Sequence, residues 1–169
     1  LREEACDVWT GTQFQTADRD AAASAAGLKP EQVRIHTMLL GGGFGRRANP
    51  HSDFVREAVQ VAKAVKAPVK VVWTREDDIQ HDFYRAGFVA RVRAGIDTAG
   101  KVTVMTARIA GQSLLAYQRR SPKPPLPDAT VVAGALNPRY AEANTLIEHV
   151  ETTLPVPIGF WRAVGFSQN

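Results

Sequence analysis

A two-layer α+β fold, with a mixed or antiparallel sheet and helices on one of its faces, is what this chain of 169 residues predicts. Three observations carry that expectation. Residues around 18–26 and 52–65 have helical spacing, while residues 87–96 and 101–110 alternate apolar and polar side chains across the turn chemistry of Asp97-Thr98-Ala99-Gly100. The strict strand-helix alternation that a doubly wound sheet requires is lacking. An apolar content of 44% suits a single core, or a core with an appendage.

Each element has a local reason. Asp7 to Thr10 reads as a short extended segment, and the Ala-rich stretch Asp18 to Ala26 reads as a helix that Gly27 ends. Val33 to Leu40 reads as a strand that runs into a glycine loop. Between His51 and Lys66, Phe54, Val55, Ala58, Val59, Ala62 and Val65 recur at steps of three and four, one apolar face of a helix spanning Ser52 to Val65. Pro68 stops it, Val69 to Trp73 supplies a second strand, and Thr74-Arg75-Glu76-Asp77 forms a capping box. Phe88, Ala90, Val92, Ala94 and Ile96 alternate with more polar neighbours, so residues 87–110 should form a β-hairpin. Ser121-Pro122-Lys123-Pro124-Pro125-Leu126-Pro127-Asp128 excludes helix and central strand, which makes about 113–145 a Pro-rich loop excursion. Glu148 to Thr153 reads as a last strand, and Trp9, Trp73 and Trp161 as core residues.

Composition excludes several functions. The net charge of +4 is spread and interleaved with acids rather than gathered in a stripe, which argues against nucleic acid as a partner. The single Cys6 rules out an intrachain disulfide and a cysteine-ligated iron–sulfur cluster, and it has no activating partner in sight. His36, His51, His81 and His149 lack metal-ligand spacing, so no direct protein ligand to a metal is expected; His36 reads as a hydrogen-bonded strand residue. Glu76-Asp77-Asp78 suits a helix N-terminus better than a catalytic carboxylate pair. No apolar run reaches membrane-spanning length and no signal peptide is visible, which leaves cytoplasmic and periplasmic addresses both open.

The feature with chemical content is Gly41-Gly42-Gly43-Phe44-Gly45-Arg46-Arg47. A nearly bare backbone can turn successive N–H groups into one concavity that binds oxyanions or a metal oxo group. Arg46 stands where a dinucleotide fingerprint needs its last glycine, and the Gly-Lys-Ser/Thr of a phosphate-binding loop is missing. The loop has companions: Val8-Trp9-Thr10-Gly11-Thr12-Gln13 upstream, then Val72-Trp73-Thr74-Arg75-Glu76-Asp77-Asp78, Phe83-Tyr84-Arg85, and Gly159-Phe160-Trp161-Arg162-Ala163-Val164-Gly165-Phe166-Ser167-Gln168-Asn169.

In this order and spacing the motifs resemble the molybdenum-binding subunit of the xanthine dehydrogenase and aldehyde oxidase family, most of all its isoquinoline 1-oxidoreductase β-subunit branch. The resemblance covers the whole chain except the Pro-rich stretch after Ser113. It implies a molybdenum ion held by a pterin dithiolene, in the molybdopterin cytosine dinucleotide form. It also implies oxidation of an aldehyde or N-heteroaromatic carbon with water-derived oxygen. Electrons would pass to a small 2Fe–2S subunit and on to a cytochrome or other acceptor.

By the same resemblance, the Phe44 amide points at the apical oxo ligand while Gly42, Gly43 and Gly45 let the backbone approach. Gln13 hydrogen-bonds that ligand from the other side, and Arg162 contacts the substrate or its transition state. Ala163 departs from the family's glycine after the arginine. Purine-oxidising members continue Gly-Lys-Glu after Phe-Gly, where this chain has Arg46-Arg47-Ala48, so purine oxidation is disfavoured. The family's catalytic glutamate lies beyond Asn169, and none of Glu31, Glu57, Glu76, Glu142, Glu148 or Glu151 takes that role. Residues 1–169 are therefore expected to be a fragment, part of a molybdopterin-binding domain that is inactive alone and prone to self-association. The alternative is a non-catalytic cofactor-binding or scaffold domain that keeps the glycine loop.

Overall fold

The computed structural model describes residues 1–119, 127–136 and 144–162, and divides into two compact units, Leu1–Asp82 and Phe83–Asn169. The fold is α+β. In place of one sheet there are three small ones.

In the first unit, β1 (Cys6–Thr10) pairs in parallel with β2 (Val33–Thr37), with Thr10 opposite Thr37. The connection between them runs through α1 (Gln15–Ala26), which Gly27 ends in the left-handed conformation with its N–H on the Ala23 carbonyl. α2 (Asp53–Val65) follows the glycine loop. Val55 and Val59 of α2, Ala22 and Ala23 of α1, Cys6 and Val8 of β1 and Val33 of β2 form one apolar cluster, so both helices lie on the same side of the strand pair. Full burial of each valine contributes roughly 1.5–3 kcal/mol. The α2 stripe is shorter than its spacing predicts, because Val65 at the last turn is exposed.

Two other expectations in this unit need correction. The strand expected to reach Leu40 stops at Thr37, and Val69 to Trp73 joins no ladder. Pro68 to Trp73 and the strand β1 line one cavity of about 1000 Å³. Trp73 anchors the segment instead, donating its indole N–H to Glu57 on α2 (2.9 Å). α3 (Arg75–His81) then starts at the expected capping box, where the Thr74 hydroxyl accepts from the Asp77 N–H and the Asp77 carboxylate accepts from Thr74.

In the second unit, β3 (Tyr84–Arg85) pairs in parallel with β7 (Ile158–Gly159). β4 (Phe88–Ile96) and β5 (Val102–Gly111) form the expected hairpin, closed by Asp97 to Lys101 with Gly100 left-handed. β6 (Asn144–Glu151) adds to β5 in parallel and begins four residues before the predicted last strand. The span 113–145 is not simply a loop: it holds α4 (Leu114–Arg119) and α5 (Ala129–Leu136). Most of the Pro-rich run, residues 121–126, lies outside the described residues. Val131 and Val132 of α5 are fully buried against Ile109, with Phe88 and Ile147 packed around them, which puts this helix on one face of the sheet. That cover is partial, since Val92 and Ile96 further along the same face remain exposed.

Asp128 explains why two helices fit there. Its fully buried carboxylate accepts hydrogen bonds from the Ser113 hydroxyl and the Leu115 N–H at the start of α4, and from the Thr130 N–H and hydroxyl at the start of α5. Asp128 thus caps α5 and shares the capping of α4 with Ser113, whose hydroxyl accepts from the Ala116 N–H (2.9 Å). His149 belongs to the same scaffold, its Nδ1 accepting from the Asp128 N–H (3.3 Å).

Candidate functional site

Parallel pairing brings the two motif loops together. β1 and β2 end side by side, so the turn after Thr10 and the loop after Thr37 leave the same edge of the pair. The crevice beyond the carboxyl ends of parallel strands is where α/β sheets bind ligands. Three hydrogen bonds tie the loops: Met38 N–H to the Thr10 carbonyl, and both the Gln13 N–H and the Thr12 hydroxyl to the Arg47 carbonyl. Thr12 is buried, and its hydroxyl also accepts from Phe14 N–H (3.0 Å), which fixes the turn that carries Gln13.

The glycine loop is held open by its backbone. Gly42 (φ 123°) and Gly45 (φ 85°) occupy the left-handed region, and so does Phe44 (φ 49°). Phe44 keeps that conformation at a cost of about 1–2 kcal/mol. Its half-exposed ring lies over Gly42, where a β-carbon would stand 3.0 Å from the ring. A β-carbon at Gly43 would overlap the side-chain amide of Gln13. The loop closes where the Arg46 and Arg47 N–H groups both donate to the Gly43 carbonyl (2.9 and 3.3 Å). Leu39, Leu40 and Phe44 are exposed around it.

Five of the six sequence-predicted site residues, Gln13, Gly42, Gly43, Phe44 and Gly45, therefore sit in one crevice of the first unit. Arg162 belongs to the second. It is exposed, with a left-handed φ of 41°, beside Trp161, whose indole N–H donates to the Phe83 carbonyl. Residues 163–169 of its motif lie outside the described residues.

Other groups have settled roles. Trp9 is not a core residue: it is exposed and stacks on His36, its cross-strand neighbour, at 4.5 Å between ring centroids. His36 Nε2 meets Asp7 Oδ1 at 2.9 Å, and that hydrogen bond holds the Asp7 carboxyl below its ordinary range. Burial pushes the Cys6 thiol up, away from a reactive thiolate. Trp73 and Trp161 are half-buried.

Sequence reasoning missed the groups that hold the loop from behind. Arg46 places two guanidinium nitrogens on the Asp53 carboxylate (2.8 and 2.7 Å) and its Nε on Asp82 (2.6 Å). Asn49 donates to Asp53 as well (2.8 Å), and the Arg47 guanidinium lies 4.6 Å from the Phe54 ring centroid. The available signal was an arginine directly after the glycines and an acid at the first position of the following helix.

The crevice fits a group held by hydrogen bonds and shape rather than by ligation. It combines bare backbone, a neutral amide side chain and an apolar rim, and a side chain at residue 43 would displace the Gln13 amide from it. The chain is similar to the isoquinoline 1-oxidoreductase subunit beta of Brevundimonas diminuta, 33% identical over 65% of this chain and 14% of that protein. It is 36% identical, over 59% of this chain and 13% of the other, to a membrane-bound aldehyde dehydrogenase (pyrroloquinoline-quinone) of Gluconacetobacter polyoxogenes. It is also 33% identical, over the same shares, to the aldehyde oxidoreductase molybdenum-binding subunit PaoC of Escherichia coli K12. The chain thus spans about one seventh of the length of these relatives. Residues 2–166 match the molybdopterin cofactor-binding domain, and the chain belongs to that family.

Proposed function

We propose that this chain forms one wall of the molybdopterin site of an oxidoreductase acting on an aldehyde or an N-heteroaromatic compound. The observation that carries the reading is the apposition of the Gln13 amide and Gly43, two residues thirty positions apart that leave no room for a side chain between them. When bound, the cofactor supplies the two-electron oxidation and the route by which a water-derived oxygen reaches carbon.

The chain's own residues then divide the remaining work. Gln13 offers a hydrogen-bond donor that neither carries charge nor titrates, so it can face an oxo group without competing for protons. The amides of Gly42 to Gly45 offer a second, rigid set of donors on the other side. Phe44 and the exposed Leu39 and Leu40 shield those donors from water once covered. Arg162 presents a planar guanidinium to a substrate carbonyl or to negative charge growing on it. Ala48 in place of a carboxylate leaves nothing there to read a purine edge.

The cytosine dinucleotide form of the cofactor, a 2Fe–2S subunit as first electron acceptor and a cytochrome or other acceptor after it complete the proposal. The lone buried Cys6 cannot hold a cluster, so the cysteines of the 2Fe–2S centre come from outside this chain.

The test is turnover of an aromatic aldehyde and an N-heterocycle by the intact protein in ¹⁸O-labelled water with an artificial electron acceptor. Molybdenum, pterin and quinone are assayed in the same preparation. Labelled product from protein that holds molybdenum and pterin is expected. Protein with its full cofactor that turns over neither substrate, or protein that holds a quinone instead, contradicts the proposal.

A further inference from the structure

We propose that Arg46 is a positioning residue that fixes the amides of the glycine loop, rather than a substrate contact. This rests on the reading above that the loop serves a cofactor. Arg46 follows Gly45 directly, and its own N–H closes the loop onto the Gly43 carbonyl at 2.9 Å. From that point its side chain runs inward, with only 14% of it exposed.

Three anchors receive it. Two guanidinium nitrogens grip the Asp53 carboxylate at the first position of α2, Nε meets Asp82 just after α3, and the guanidinium carbon lies 5.7 Å from the Phe54 ring centroid. Asp53 is in turn held by Asn49. The planar fork of an arginine makes these contacts at once, whereas the point charge of a lysine cannot. The consequence for the loop is mechanical. Phe44 is in a left-handed conformation that an unrestrained non-glycine residue would leave, and the residue that ends the run is held by Asp53 at the start of α2 and by Asp82 just after α3. Arg47 is committed to the same side, over Phe54. Both cations are therefore engaged by Asp53, Asp82 and the Phe54 ring.

The test uses Arg46→Lys and Asp53→Asn, both mild enough to keep a charge or the shape at each position. Amide hydrogen exchange is followed residue by residue in the intact protein, together with pterin content and the electron paramagnetic resonance spectrum of bound molybdenum. Exchange across residues 41–47 should rise about tenfold in both variants while α1 and the β1–β2 pair stay protected. Pterin content should fall several-fold, and the spectrum of what remains should broaden. Unchanged exchange in the loop, or a rise shared equally by α1, overturns the inference. A loosened loop with full pterin content and an unaltered spectrum upholds the clamp and instead removes the loop from the cofactor site.

Discussion

Single residues decide whether the crevice exists. In Gly43→Val a β-branched side chain would occupy the space of the Gln13 amide, so that side chain must swing away or the loop must move. The expected outcome is loss of cofactor from a variant that keeps its fold, the thermal transition falling only by what the cofactor contributed, since residue 43 lies on a surface loop outside the apolar clusters. Arg162 tests the substrate side. If its guanidinium meets developing negative charge, Arg162→Lys in the intact protein should lower kcat/KM roughly 10²-fold, about 2.7 kcal/mol, with cofactor content unaltered. Steady-state kinetics beside metal analysis checks this, and a variant with full activity would make Arg162 a packing residue. At this scale the sequence was legible where the chemistry was local: a glycine run and a neutral amide announce themselves. The role of Arg46 was not legible, because a cation after a glycine loop can point outward or inward, and only the position of Asp53 and Asp82 decides.

Elements were legible where periodicity and caps agree. The α1 end at Gly27, the Thr74 capping box, the α2 stripe and the β4–β5 hairpin all follow from residues within one turn of each other. Val69 to Trp73 failed because strand composition does not supply a partner, and the helices within 113–145 were hidden because their shared cap, Asp128, is contributed by the end of the Pro-rich run. That shared cap makes a prediction. Asp128→Ala should cost about 2–4 kcal/mol in chemical denaturation, from the lost α5 N-cap and from the Ser113 hydroxyl and Leu115 N–H left without their acceptor. A loss under 1 kcal/mol would show that the caps are redundant. The tie between the loop and α2 has a pH signature. Burial pushes the Asp53 carboxyl up, but the Arg46 hydrogen bonds and charge outweigh it and leave it below the ordinary 3.8. A depressed carboxyl contributes stability that is present above its unfolded value and is lost as pH falls through its folded one. Loop exchange relative to its pH-dependent intrinsic rate should therefore stay flat down to the ordinary carboxylate value and rise only below it. Asp53→Asn should abolish that rise.

At the scale of the molecule, the parallel pairing of β1 and β2 matters most, because it places the end of one motif beside the start of another twenty-odd residues away. Sequence order alone could not state that adjacency; the family resemblance implied it, and the register of the pair explains it. The same chain exposes much apolar surface: Leu39 is fully exposed, and Val72, Val89 and Ile96 are more than 60% exposed. Single exposed apolar residues are ordinary, but Leu39, Leu40 and Phe44 exposed together around the glycine loop mark surface meant to be covered. The 169-residue chain by itself is accordingly expected to sediment as concentration-dependent oligomers and to hold no molybdenum; a monomer at all concentrations would refute the first expectation and stoichiometric metal the second. The central claim, that Gln13 and the glycine loop together hold the cofactor, is tested most directly by molybdenum and pterin content of the intact protein carrying Gly43→Val, measured beside the unaltered protein. The account predicts loss of both from a variant that still folds, whereas a folded variant that retains a full complement of molybdenum and pterin would contradict it.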